Sequence, residues 1–119
     1  MRTATFLRSR VLPCAGLVAP PALWAVNTQL GQILPYAECG APLKYAALTS
    51  LPAALLSLGA GLLSWRVTVR NRSDATLGIT PYPASYEFVG LLSVLMGAAI
   101  GFALVLQGLS SLVLTGCER

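Results

Sequence analysis

Histidine is absent from all 119 residues, and charge is scarce, with 4 acidic and 8 basic side chains making up 10% of the chain. The missing imidazoles exclude a good deal, because membrane haem proteins generally hold b-type haem between histidines and catalytic zinc or copper sites lean on them too. No metal or cofactor is expected on this chain alone. Met96 could serve as an axial ligand, but a lone methionine in mid-helix is ordinarily core packing. Ion pumps and proton-coupled carriers need ionisable groups at membrane depth, yet every Asp, Glu, Lys and Arg falls outside the long apolar runs or at their ends. Glu87, where the third run begins, comes nearest, and there a carboxylate complements the helix dipole and stays hydrated. With no nucleophilic or metal-binding constellation in view, a non-enzyme is expected.

Apolar residues are abundant, at 55% of the sequence. A bilayer core of about 30 Å needs roughly 20 consecutive apolar residues in a helix, and three runs meet that length, near 11–34, 45–65 and 88–114. The expected fold is all-α, a single three-helix transmembrane domain with membrane lipid as its solvent. The net charge of +4 does not mark a nucleic-acid patch, because the basic residues sort by membrane side. Arg2, Arg8 and Arg10 precede the first run and Arg66, Arg70 and Arg72 follow the second, against Lys44 and Arg119 elsewhere. That asymmetry puts the N-terminus and the 66–86 loop in the cytoplasm and the C-terminus outside.

The first run, after a basic stretch, has the look of a signal peptide, but Pro20 and Pro21 interrupt it and no small-residue cleavage site precedes Asn27, Gln29 and Gln32. Retention is expected, with a kink or widened turn at the two prolines. A lipoprotein role for Cys14 fails because Pro13 stands where a small residue is needed. The second run places Ala53, Ser57 and Gly61 at four-residue spacing, and the third carries Gly97 and Gly101 as a GxxxG match. Both are helix-packing features, some of whose faces are expected to be spare for a partner. Trp65 and Tyr86 at the inner boundaries, and Tyr36 and Tyr45 at the outer ones, suit interface anchors. Pro81 and Pro83 make residues 66–86 a surface loop, whose Asn71-Arg72-Ser73 sequon is discarded because a cytoplasmic loop never meets the glycosylation machinery.

A polar set, Asn27, Gln29, Gln32 and Gln107, lies in the outer halves of the first and third runs. Gln29 stands ten residues before Cys39 and Gln107 ten before Cys117, offsets that suggest similar depth and a Gln29–Gln107 hydrogen bond that fixes which faces meet. A polar contact to a quinone or a partner subunit is the alternative. Cys39 and Cys117 share the outer compartment and read as a disulfide, which would close a long loop for about 4 kcal/mol in the chain-entropy model. A two-thiolate Cu(I) site is the rival.

The stretches WAVNTQLGQILPYAEC and FALVLQGLSSLVLTGC resemble those of short, mostly uncharacterised bacterial three-span proteins encoded beside haem–copper terminal oxidases. The matching positions are Trp24, Gln29 and Cys39, then Gln107 and Cys117. The resemblance implies a bacterial inner membrane location and a non-catalytic accessory or assembly subunit of a respiratory complex of the cytochrome c oxidase kind. A copper-handling assembly factor using Cys39 and Cys117 and a small transporter or channel subunit remain as alternatives, the last needing several copies to build a pathway from Asn27, Gln29 and Gln32.

Overall fold

The computed structural model describes residues 4, 11–38, 40, 42–79 and 83–114. Among them the fold is all-α, three helices with no strand: α1 Leu12–Glu38, α2 Tyr45–Thr76 and α3 Ala84–Val113. Each packs against the other two.

Helix α1 runs through Pro20, Pro21 and Pro35 as one element. Proline removes a donor and crowds the preceding turn, and the burial of Pro20 shows that neighbouring helices cover that stretch. Helix α2 is longer than expected. Its 32 residues reach about 48 Å at about 1.5 Å per residue, well beyond a hydrocarbon core of about 30 Å. The first half of the supposed 66–86 loop is therefore helix. What carries the helix on is lateral support, since Thr68 is buried against α3 and Arg72 Nη1 pairs with Glu87 Oε1 at 2.7 Å. The chain leaves α2 only at Gly78, whose φ of +72° allows the αL position of a Schellman turn. Gly78 N–H donates to the Ala75 carbonyl and Ile79 N–H to that of Asp74, each at 3.0 Å. Pro83 then sits just before α3, where its fixed φ suits a helix start.

The seam between α2 and α3 explains the bundle. On α2 the residues Ala47, Ser50, Ala54, Ser57, Gly61, Ser64 and Thr68 are buried, spaced alternately three and four apart, the repeat of a helix supercoil seam. Facing them are Gly90, Ser93, Gly97, Gly101, Leu104 and Gly108. The backbones nearly touch, because a Cβ added to Gly97 would meet Gly61 Cα and the Ser57 carbonyl oxygen at 3.0 Å. The pairs Thr68–Gly90, Gly61–Gly97 and Ser50–Gly108 run in opposite directions along the two helices, so they are antiparallel.

The arrangement is inverted relative to a water-soluble bundle. Among the described residues Leu104 is the largest side chain fully inside, and the other buried apolar side chains are small, the alanines 47, 53 and 54 with Pro13 and Pro20. Leucines, valines and phenylalanines point outward along all three helices, Leu55, Leu95 and Phe102 among them. Helices α2 and α3 are each long and apolar enough to cross a membrane.

Candidate functional site

Polar side chains gather at both ends of the bundle. At one end the Pro13 carbonyl on α1 accepts hydrogen bonds from Ser64 Oγ of α2 and, at 2.8 Å, from Ser93 Oγ of α3. All three residues are buried. Gly16 lets this happen, for a Cβ there would lie 2.7 Å from the Ser93 Cβ. Midway along the seam, Ser57 Oγ donates to the Gly97 carbonyl at 3.1 Å.

The opposite end holds a polar cavity of about 260 Å³. Asn27, Gln107, Glu38 and Thr49 line it, with Ser110 and Ser111 at its edge. Buried Asn27 donates from Nδ2 to Gln107 Oε1 at 3.1 Å, with Gly31 beside the Gln107 amide. The start of α2 has no side-chain cap of its own, because Lys44 stands at that position. Glu38, at the end of α1, supplies the missing acceptor by taking the Ala46 N–H at 2.6 Å. Lys44 in turn reaches across to the Leu112 carbonyl at the end of α3, where a cation suits the helix dipole. Chemically the cavity offers a carboxylate and two amides for hydrogen bonding. Its hydroxyls are turned back on their own helices, Ser110 to the Gln107 carbonyl and Ser111 to that of Gly108.

These contacts revise the expected glutamine pairing. Pro13 with Ser93 and Asn27 with Gln107 are both separated by 80 positions, so α1 and α3 run parallel and in register. The cysteine offsets suggested a separation of 78 positions, two residues out. Two residues turn a helix through about 200°, which carries Gln29 to the exposed face while Asn27 meets Gln107. Gln32 is exposed as well, and so are the anchors Trp65, Tyr36 and Tyr45, with Tyr86 half-buried. Ala53, Ser57, Gly61, Gly97 and Gly101 are all buried between helices, which leaves none of them spare for a partner. Met96 and Cys14 are half-buried, the latter a free thiol. Cys39 and Cys117 lie outside the described residues.

Sequence reasoning missed the two hydroxyls that share the Pro13 carbonyl, and it passed over a groove along α1 and α2. The signal for the groove was present in Ala19, Ala22, Gly59 and Ala60, small residues flanked by leucines. Among the described residues no three His, Cys, Asp or Glu side chains are grouped to hold a metal ion. Compared with protein-family models, curated proteins and solved structures, the chain matches none.

Proposed function

We propose that the chain is a three-span inner-membrane protein, N-terminus inside and C-terminus outside, that works as a non-catalytic accessory or assembly subunit of a haem–copper respiratory oxidase. The observation that carries the membrane reading is the inverted packing, with Ser57, Ser64, Ser93 and the glycines inside and large apolar side chains outside. In water this surface would aggregate; in lipid it is the natural one, because close backbone approach and interhelical hydrogen bonds drive association there. Helix α1 carries three prolines and the polar residues Asn27, Gln29 and Gln32, and its crossing is supported by the two contacts that tie it to α3. They lie fourteen positions apart, about 21 Å along both axes, so α1 runs alongside α3 over that length, which supports a crossing by both.

The supporting role rests on how the polar groups are used. The buried hydroxyls of Ser57, Ser64 and Ser93 hold one helix to another, which suits a scaffold better than turnover. The oxidase as partner rests on the resemblance of the first and third helices. The disulfide proposed between Cys39 and Cys117 rests on the outer compartment that the asymmetry of basic residues assigns to both.

Purification in mild detergent, with identification of co-purifying subunits and a haem spectrum, tests the partner. Oxidase subunits and haem bands are expected; a protein that migrates alone from native membranes, and whose deletion leaves oxidase level and activity unchanged, defeats the assignment. Reporter fusions at residue 75 should report cytoplasm and those at 42 and 119 the outside, the reverse pattern overturning the topology. Non-reducing mass spectrometry should find Cys39 and Cys117 joined, whereas alkylation of both in fresh membranes points to the copper-handling alternative.

A further inference from the structure

Helices α1 and α2 do not close on one another along their outward side. Ala19 and Ala22 of α1 face Gly59 and Ala60 of α2 across an open trench walled by Leu55 and Leu63, with a volume of about 610 Å³. Leu23, Val26 and Leu56 continue it into a second section of about 350 Å³ toward Leu48. Both sections are almost wholly apolar in their lining. Past Leu63, beyond the residues that line the trench, the same side of α2 turns basic. Residues seven apart lie on one face of a helix, so Arg66 follows Gly59 and Arg70 follows Leu63 on the trench side of α2. Both arginines are exposed, and among the described residues neither takes part in an ion pair or hydrogen bond. Arg72, by contrast, is turned toward α3 and paired with Glu87.

We propose that this trench is a binding site for one anionic phospholipid of the cytoplasmic leaflet, its acyl chain along Leu63, Gly59 and Leu55 and its phosphate between Arg66 and Arg70. The assignment rests on the membrane-spanning reading above. Three features select the occupant. An apolar channel that ends in two unpaired cations matches a molecule with an apolar tail and an anionic head, and a purely apolar partner helix would leave the cations unanswered. Guanidinium groups match phosphate geometry and bind it through parallel hydrogen bonds. The depth also fits, because Arg66 to Leu55 is eleven residues, about 16 Å, close to half of a hydrocarbon core of about 30 Å. Basic pockets between transmembrane helices on the cytoplasmic side commonly take such headgroups.

The test uses the full chain purified in nonionic detergent, titrated with phosphatidylglycerol or with phosphatidylcholine of the same acyl chains. Native mass spectrometry reads retention and thermal unfolding reads stabilisation. Phosphatidylglycerol should bind roughly tenfold tighter than phosphatidylcholine. Arg66→Gln with Arg70→Gln should erase that preference, the double lysine variant should keep most of it, and Arg72→Gln, an equal loss of charge off the trench, should leave it unchanged. Ala60→Phe should block both lipids while retaining wild-type helicity by circular dichroism. Equal binding of the two lipids by the wild type overturns the proposal, as does full preference in the double glutamine variant. Loss of a co-purifying protein from Ala60→Phe with lipid binding intact also overturns it and assigns the trench to a helix. Alkaline carbonate washing separates the two levels: a chain released from membranes fails the spanning reading and the lipid site with it, whereas a retained chain without lipid preference fails the lipid site alone.

Discussion

Small residues line both the α2–α3 seam and the α1–α2 trench, yet one is shut and the other open. In the seam, Gly97 faces Gly61 and Ser57 directly, so the two backbones come together. In the trench, Gly59 and Ala60 share the lining with Leu55, Leu56 and Leu63 of the same helix and with Leu23 and Val26 of α1. A Cβ at Gly59 would meet nothing within 4 Å. A small residue brings helices together only where a small residue of the partner helix faces it, as Gly61 faces Gly97. Counting Gly and Ala along a membrane helix therefore does not say where it packs.

The largest effect that would break this comparison is expected at Gly97. Gly97→Leu must push apart two backbones rather than one flexible side chain, and should cost about 3 kcal/mol, the upper part of the usual range for overpacking. Unfolding of detergent-solubilised protein followed by circular dichroism measures it. A stability within 1 kcal/mol of wild type would mean that the seam is looser than described.

The polar end comes next in size. Asn27→Ala and Gln107→Ala should each lose about 0.6 to 2 kcal/mol, and the double variant should lose little more than either single one, since both remove the same hydrogen bond. Gln29→Ala, one turn of reasoning away but on the exposed face, should fall within about 0.5 kcal/mol of wild type. If Gln29 rather than Asn27 couples to Gln107 in such a cycle, the register of α1 on α3 is wrong.

Gly59→Ala sharpens the contrast from the other side. With open space at that Cβ and helical backbone, the substitution should be neutral or raise stability by up to about 0.5–1 kcal/mol, the ordinary gain of Ala over Gly in a helix. The same change at Gly97 should lower stability. Opposite signs for one substitution at two glycines of one bundle are the signature of a shut seam beside an open trench, and equal signs would remove it.

Much of the fold was legible because the apolar runs are long and the prolines and arginines punctuate them. The helix existence and order followed from that, while the end of α2 did not. Arg66 to Thr76 look like a loop by hydropathy, but Thr68 against Gly90 and Arg72 with Glu87 extend the helix by tertiary support that a one-dimensional reading cannot see. The packing stripe was half legible. Ala53, Ser57 and Gly61 mark the right side of α2 with a four-residue step, whereas the buried series steps three and four, passing through Ala54, Ser64 and Thr68. At the polar end the residue types pointed to hydrogen bonding across helices, but a two-residue error in register chose Gln29 over Asn27. The trench was hidden for a different reason. It is made by what leucines do on either side of small residues, a property of two helices placed together.

The uneven apolarity of the three helices has a consequence for the order of events at the ribosome. Helix α1 emerges first and at 27 residues is long enough to cross a membrane, but among the described residues the strongly apolar windows belong to α2 and α3. Its buried Asn27 finds Gln107, and its Pro13 carbonyl finds Ser93, only after eighty further residues have been made. On the three-span reading proposed above, the earliest helix gains these polar partners only when the last one arrives. A nascent chain stopped at the end of α2 is expected to hold α1 less firmly in the bilayer than the finished protein does.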